Sequence, residues 1–202
     1  MRWNIFTYII QCAGMIVPLV GIVSLLKREQ TKMSTYLLLT NIGCLIINTG
    51  YLLLITSQNA REAHLAYKIE YLGNAMFYFF FILFLVSYFG KEIPSVLLSF
   101  WIGLEGSQVT ALWLERHENT MFGDLQFMAG KGLGIMRADI EKGVMYEIRY
   151  AMLSVILLAL LIFTMVRMFQ MKEKTERGNL GRLAGAEFVV MFSLVLAQVF
   201  NY

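Results

Sequence analysis

The sequence predicts an all-α membrane protein: a polytopic helical bundle of six transmembrane helices with a small extracellular β-hairpin. Three observations carry this. The 202 residues are 58% hydrophobic and only 15% charged, against about 25% charged in a soluble domain. The apolar residues fall into six stretches of about 20 residues, the length that crosses a hydrocarbon core of about 30 Å as a helix. The stretches are continuously apolar, whereas barrel strands alternate with period two. In lipid, only helices and closed barrels satisfy every backbone N–H and C=O.

The first helix is placed at 5–26, inside the uncharged run Trp3–Leu26. That run is too long for a signal-peptide core, and no small-residue cleavage site follows it. The second, 36–55, sits within the uncharged run from Met33 to Ala60. The third, 67–89, carries no charge between Glu70 and Lys91. The fourth, 94–114, follows Pro94 and is interrupted once, by Glu105. The fifth is placed at 146–168 and the sixth at 184–202. Only a short uncharged run, Phe188–Tyr202, follows Glu187, so the sixth helix expects a continuation and the chain reads as a fragment. In the loop 115–145, Met121–Met128 and Ile135–Ile140 flank Gly130-Lys131-Gly132. Two short strand-like runs around a glycine turn read as a hairpin. The Gly130-x-Gly132-x-Gly134 spacing follows no buried parallel strand and opens no helix, so it is turn chemistry and not a dinucleotide fingerprint.

Positive charge orients the chain. Lys27, Arg28, Lys32, Lys91, Arg167, Lys172, Lys174, Arg177 and Arg182 fall on one side. The opposite side holds Arg2, Arg61 and Lys68, and five more that are diluted by acids in the long segment ending at Arg149. This places the N-terminus outside. A net charge of +3, with no exposed face mixing basic and aromatic residues, excludes nucleic acid. Cys12 and Cys44 lie in apolar runs and read as small hydrophobes, not a disulfide. No Cys/His spacing holds a metal, no cofactor motif is present, and no nucleophile elbow, P-loop or H-E-x-x-H motif marks an enzyme.

Glu105 is the most informative residue, because a charge at mid-membrane costs about 2.5–3.5 kcal/mol on insertion scales and should face the bundle interior or be protonated. Gln108 and Trp101 share its face at i+3 and i−4. Two readings stand: a ligand- or proton-binding site, or a carboxyl hydrogen-bonded to Asn41 or Asn48 of another helix. Glu70 and Asn74 form an i, i+4 pair at the outer end of helix three, beside Tyr67 and Tyr71. They read as an interfacial anchor or as part of an outward-facing pocket. Glu105, Gln108, Glu70 and Asn74 are therefore the ligand-binding candidates. The aromatic run Phe77–Phe81 covers every helix face and reads as lipid contact and packing. His64 and His117 read as solvated loop residues.

The segment Tyr67-Lys68-Ile69-Glu70-Tyr71-Leu72-Gly73-Asn74, with the aromatic helix ending in Tyr88-Phe89-Gly90, resembles the third helix of the histidine-kinase N-terminal 7TM region. Asn41 to Asn48 resembles that family's second helix, and Trp113 to Phe122, with His117 and Asn119, its extracellular segment. The resemblance covers essentially the whole chain, on soft patterns. It implies a bacterial plasma-membrane sensor with an outside N-terminus, seven helices, and a cytoplasmic histidine kinase or diguanylate cyclase output not present in this chain. The chain itself would then not be an enzyme. The implied partners are the lipid bilayer, an unidentified small-molecule ligand and a second copy in a homodimer. The alternative is a six-helix solute-binding subunit of a vitamin or small-molecule importer, for which Gly14 and Gly21 offer a small-residue docking face.

Overall fold

The computed structural model describes residues 2–114, 122–129 and 136–199. Two compact units divide the chain, 1–141 and 142–202. The first holds helices α1 (Arg2–Leu26), α2 (Lys32–Thr56), α3 (Ala60–Tyr88) and α4 (Ser95–Leu114), followed by strands β1 (Phe122–Ala129) and β2 (Met136–Lys142), which ends at the boundary. The second holds α5 (Val144–Gln170) and α6 (Lys174–Val199). β1 and β2 pair in a two-stranded sheet. The turn expected at Gly130–Gly134, and His117 and Asn119, lie outside the described residues.

Among the described residues, four helical segments are long and apolar enough to cross a membrane: Lys32–Thr56, Arg61–Tyr88, Tyr146–Gln170 and Lys174–Val195. The described apolar part of α1, Gln11–Leu26, is shorter. α4 mixes Glu105, Gln108 and two glycines into its 20 residues. The distribution of polarity is inverted relative to a soluble protein. Val17, Val20, Val96, Phe100, Val155 and Val189 are exposed, while Glu70, Glu105, Gln108, Arg149 and Glu187 are buried. An apolar exterior suits lipid and not water, and in lipid ionisable groups turn to the bundle interior.

Several helices begin earlier than their apolar runs. α3 starts at Ala60, seven residues before the expected Tyr67. Asn59 caps it, its Oδ1 accepting from the Glu62 N–H at 2.9 Å. Glu62 answers by accepting from Gln58 N at 2.8 Å and Asn59 Nδ2 at 2.8 Å. Replacing Asn59 with alanine removes the two bonds made by its side chain, leaves Gln58 N on Glu62, and is expected to cost about 1 kcal/mol. A melting curve of the purified chain against Asn59→Ala checks it. α2 begins at Lys32, behind a reciprocal Thr31/Ser34 capping box. α6 begins at Lys174, ten residues before the expected start.

Within the first unit α3 packs most extensively on α2, with α1 on the other side of α2 and α4 against α3. Glycines permit the close approach. A Cβ at Gly50 would lie 2.5 Å from Glu70 N, one at Gly43 2.7 Å from Phe77 N, and one at Gly73 2.6 Å from Ile47 N. Gly43 and Gly50 are one heptad apart, so both point at the same seam. Gly14 and Gly21 do the same work for α1. A Cβ there would meet Asn48 Oδ1 at 2.8 Å and Asn41 Oδ1 at 2.5 Å. These glycines thus serve packing inside the chain, which removes the docking face invoked for an importer subunit. In the second unit α5 packs along α6.

Candidate functional site

The four candidates divide between two seams. Tyr71 and Glu70 are neighbours on α3 and leave it about 100° apart, so Glu70 faces α2 while Tyr71 faces α4. On the α3–α4 seam, the Tyr71 hydroxyl donates to Gln108 Oε1 at 3.4 Å, and Trp101 Nε1 donates to Glu105 Oε1 at 3.3 Å. Phe79 meets the Trp101 ring edge-on at 4.8 Å. Tyr71, Trp101, Glu105 and Gln108 are all buried. The expected shared face of Trp101, Glu105 and Gln108 is therefore a physical one.

Gln108 is 1% exposed, and its Nε2 has no hydrogen-bond partner among the described residues. Rotating the amide by a half turn would only exchange which end is left over. A buried amide donor without a partner costs about 1–3 kcal/mol. That cost persists where something else completes the site or where the site has another arrangement.

On the α2–α3 seam, Glu70 Oε1 accepts from Asn74 Nδ2 at 3.0 Å and the carboxyl is hydrogen-bonded by the Tyr51 side chain. The pair does not sit at the helix end. Because α3 starts at Ala60, Glu70 lies about 15 Å along its axis. Tyr71, expected at the headgroup level, is buried as well. Lys68 reaches back instead, 3.4 Å from Trp113 O and 5.8 Å from that ring. His64 is half-buried on α3 and not in a loop.

Asn41 and Asn48 do not serve Glu105. They face α1, where Gln11 Nε2 donates to Asn48 O at 3.1 Å and to Asn48 Oδ1 at 3.0 Å. Their own amides donate to the i−4 carbonyls, Leu37 O and Cys44 O, both at 2.8 Å. Nothing in a single sequence distinguishes an asparagine turned to α1 from one turned to α4.

The second unit contributes two buried charges that run boundaries had hidden. Arg149, on the first turns of α5, is fully buried, its guanidinium 5.4 Å from the Tyr150 ring, and the Tyr150 ring lies tilted against Tyr146 at 4.3 Å. Glu187 on α6 accepts from Thr164 Oγ1 of α5 at 2.8 Å, and both are buried. Its Oε2 has no partner among the described residues. Thr164→Val is expected to destabilise the α5–α6 pair by about 1–3 kcal/mol, because it deprives a buried carboxyl of its donor. Thr164→Ser, which keeps the hydroxyl, is expected to retain most of that stability. Denaturation in mixed micelles distinguishes the two.

Long apolar helices with an exposed apolar exterior and buried ionisable groups define a helical membrane domain. The family model described as the N-terminal 7TM region of histidine kinase matches residues 9–202, and the chain belongs to that family. The family is a membrane-embedded sensory input region and not a catalytic one. No curated protein and no solved structure matches the chain.

Proposed function

We propose that the chain is the sensory input module of a bacterial signal-transduction protein. It sits in the plasma membrane with the N-terminus outside, crosses it six times, and holds β1 and β2 on the outer side. It passes a stimulus to a cytoplasmic histidine kinase or diguanylate cyclase. The observation that carries this reading is the family match over nearly the whole chain. The asymmetry of Lys and Arg supports the orientation.

The sensing element is the α3–α4 seam. A small polar ligand presenting an acceptor to Gln108 Nε2 would satisfy the open donor, with Glu105 and Tyr71 as its neighbours. Glu70 and Asn74, on the opposite side of α3, link that seam to α2. A ligand shifts helix packing only by the difference in its affinity for two arrangements. An amide satisfied in one and open in the other supplies such a difference.

Reading the natural frame beyond the codon for Tyr202 tests the assignment. A further apolar span followed by a kinase or cyclase domain is expected. A stop codon directly after Tyr202 would contradict it.

A further inference from the structure

A cleft of about 390 Å³ opens in the first unit where α2 begins, α3 ends and α4 begins. Its polar lining is Lys32 and Tyr36 of α2, Ser87 of α3, Lys91 and Glu92 of the connection, and Ser95 of α4. The connection turns at Gly90, whose φ of +64° is open to glycine without strain. That turn carries Lys91 to the rim. Lys32 and Glu92 form an ion pair at 3.0 Å, with both side chains well exposed. Below the polar rim, Leu83, Val86 and Leu98 form an apolar wall.

Depth fixes the kind of ligand. The candidate spans begin at Lys32 and end at Tyr88, so the rim lies at the level of the headgroups and the apolar wall at the level of the upper acyl chains. Two ammonium groups and three hydroxyls at that level match a phosphodiester. A wall of aliphatic side chains beneath them matches the lipid's glycerol and first methylenes. α4 enters through Pro94, whose ring offers its first turn no capping oxygen, and its open N–H groups add to the positive field. Glu92 opposes an anion and holds one lysine back.

We infer that this cleft binds the phosphate headgroup of an anionic phospholipid, with Lys91 and Lys32 as the charges that select it. The cleft shares no lining residue with the Tyr71, Trp101, Glu105 and Gln108 cluster and does not depend on what the chain senses. A juxtamembrane lysine contributes enough attraction to an anionic lipid to change its occupancy about fivefold. Glu92→Gln releases Lys32 and is expected to raise occupancy.

The test is native mass spectrometry of the 202-residue chain in neutral detergent, titrated with phosphatidylglycerol or phosphatidylcholine, with variants on the exposed lysines. One retained phosphatidylglycerol is expected, with little phosphatidylcholine. Its apparent affinity should fall about fivefold in Lys91→Gln and rise in Glu92→Gln. It should be unchanged in Lys27→Gln, which removes a charge outside the cleft. Equal retention of the two lipids overturns the inference, as does an equal loss in Lys27→Gln and Lys91→Gln. Displacement by millimolar inorganic phosphate without any preference for phosphatidylglycerol assigns the cleft to free phosphate and overturns the lipid reading. All three variants carry their substitution at an exposed position, so folding does not confound the comparison.

Discussion

Gly50→Ala is expected to destabilise the first unit by about 1–3 kcal/mol, against the sign that helix propensity alone would give. Alanine stabilises an exposed helix interior by about 1 kcal/mol relative to glycine. At Gly50 the added carbon would lie 2.5 Å from Glu70 N and 2.6 Å from Glu70 Cα. Backbone cannot swing aside as a flexible side chain can, so α2 and α3 must separate. Without a hydrophobic force between helices in lipid, such close packing is a main source of association. Separation would also pull Tyr51 away from Glu70 and strip one hydrogen bond from a buried carboxyl. Gly103→Ala on α4, where nothing lies within 4 Å, is the internal control and is expected to be neutral or stabilising. Unfolding of both variants in mixed micelles reads the difference in sign.

Gln108→Met is expected to have the second large effect, with stability and response moving in opposite directions. Methionine matches the glutamine in length and removes the unpartnered amide, so the resting domain should gain about 1–3 kcal/mol. Part of that gain is offset by the lost contact with the Tyr71 hydroxyl, which at 3.4 Å is a long hydrogen bond. The same change deletes the donor on which the proposed sensing seam depends. A more stable domain that no longer answers its stimulus is the familiar exchange of stability for activity at a functional site. Glu105→Gln should keep the Trp101 hydrogen bond, since an amide oxygen still accepts, while removing the carboxyl. It separates the need for a carboxylate from the need for the seam's shape.

Helix periodicity was enough to place Trp101, Glu105 and Gln108 together, because i, i+3 and i+4 residues must share a face whatever surrounds them. The same arithmetic paired Glu70 with Asn74. It could not tell which seam each pair enters, since that depends on the rotation of whole helices, and so one of the two readings of Glu105 offered it Asn41 or Asn48, which face α1 instead. Depth was misjudged for a different reason. Reading spans from uncharged runs puts a boundary wherever a charge stands, which made Glu70 a helix-end residue and left Arg149 and Glu187 at the margins. The helices pass through those charges: Asn59 starts α3 well ahead of Glu70, α6 begins at Lys174 well ahead of Glu187, and both carboxyls are hydrogen-bonded where they are buried. The Asn59-x-x-Glu62 spacing was the readable signal for α3. Nothing comparable in the sequence announces the close seam at Gly43, Gly50 and Gly73, which requires knowing that α2 and α3 are neighbours.

The most direct test of the proposed sensing account is the output of this chain joined to the kinase or cyclase domain proposed for it, reconstituted in membranes or followed in cells across growth conditions, in wild type and Gln108→Met. The account predicts that wild-type output varies with condition, while the Gln108→Met protein is present in the membrane at no lower level and its output is locked at one value. An output that varies in Gln108→Met as it does in wild type would contradict it and leave the α3–α4 seam a packing feature alone.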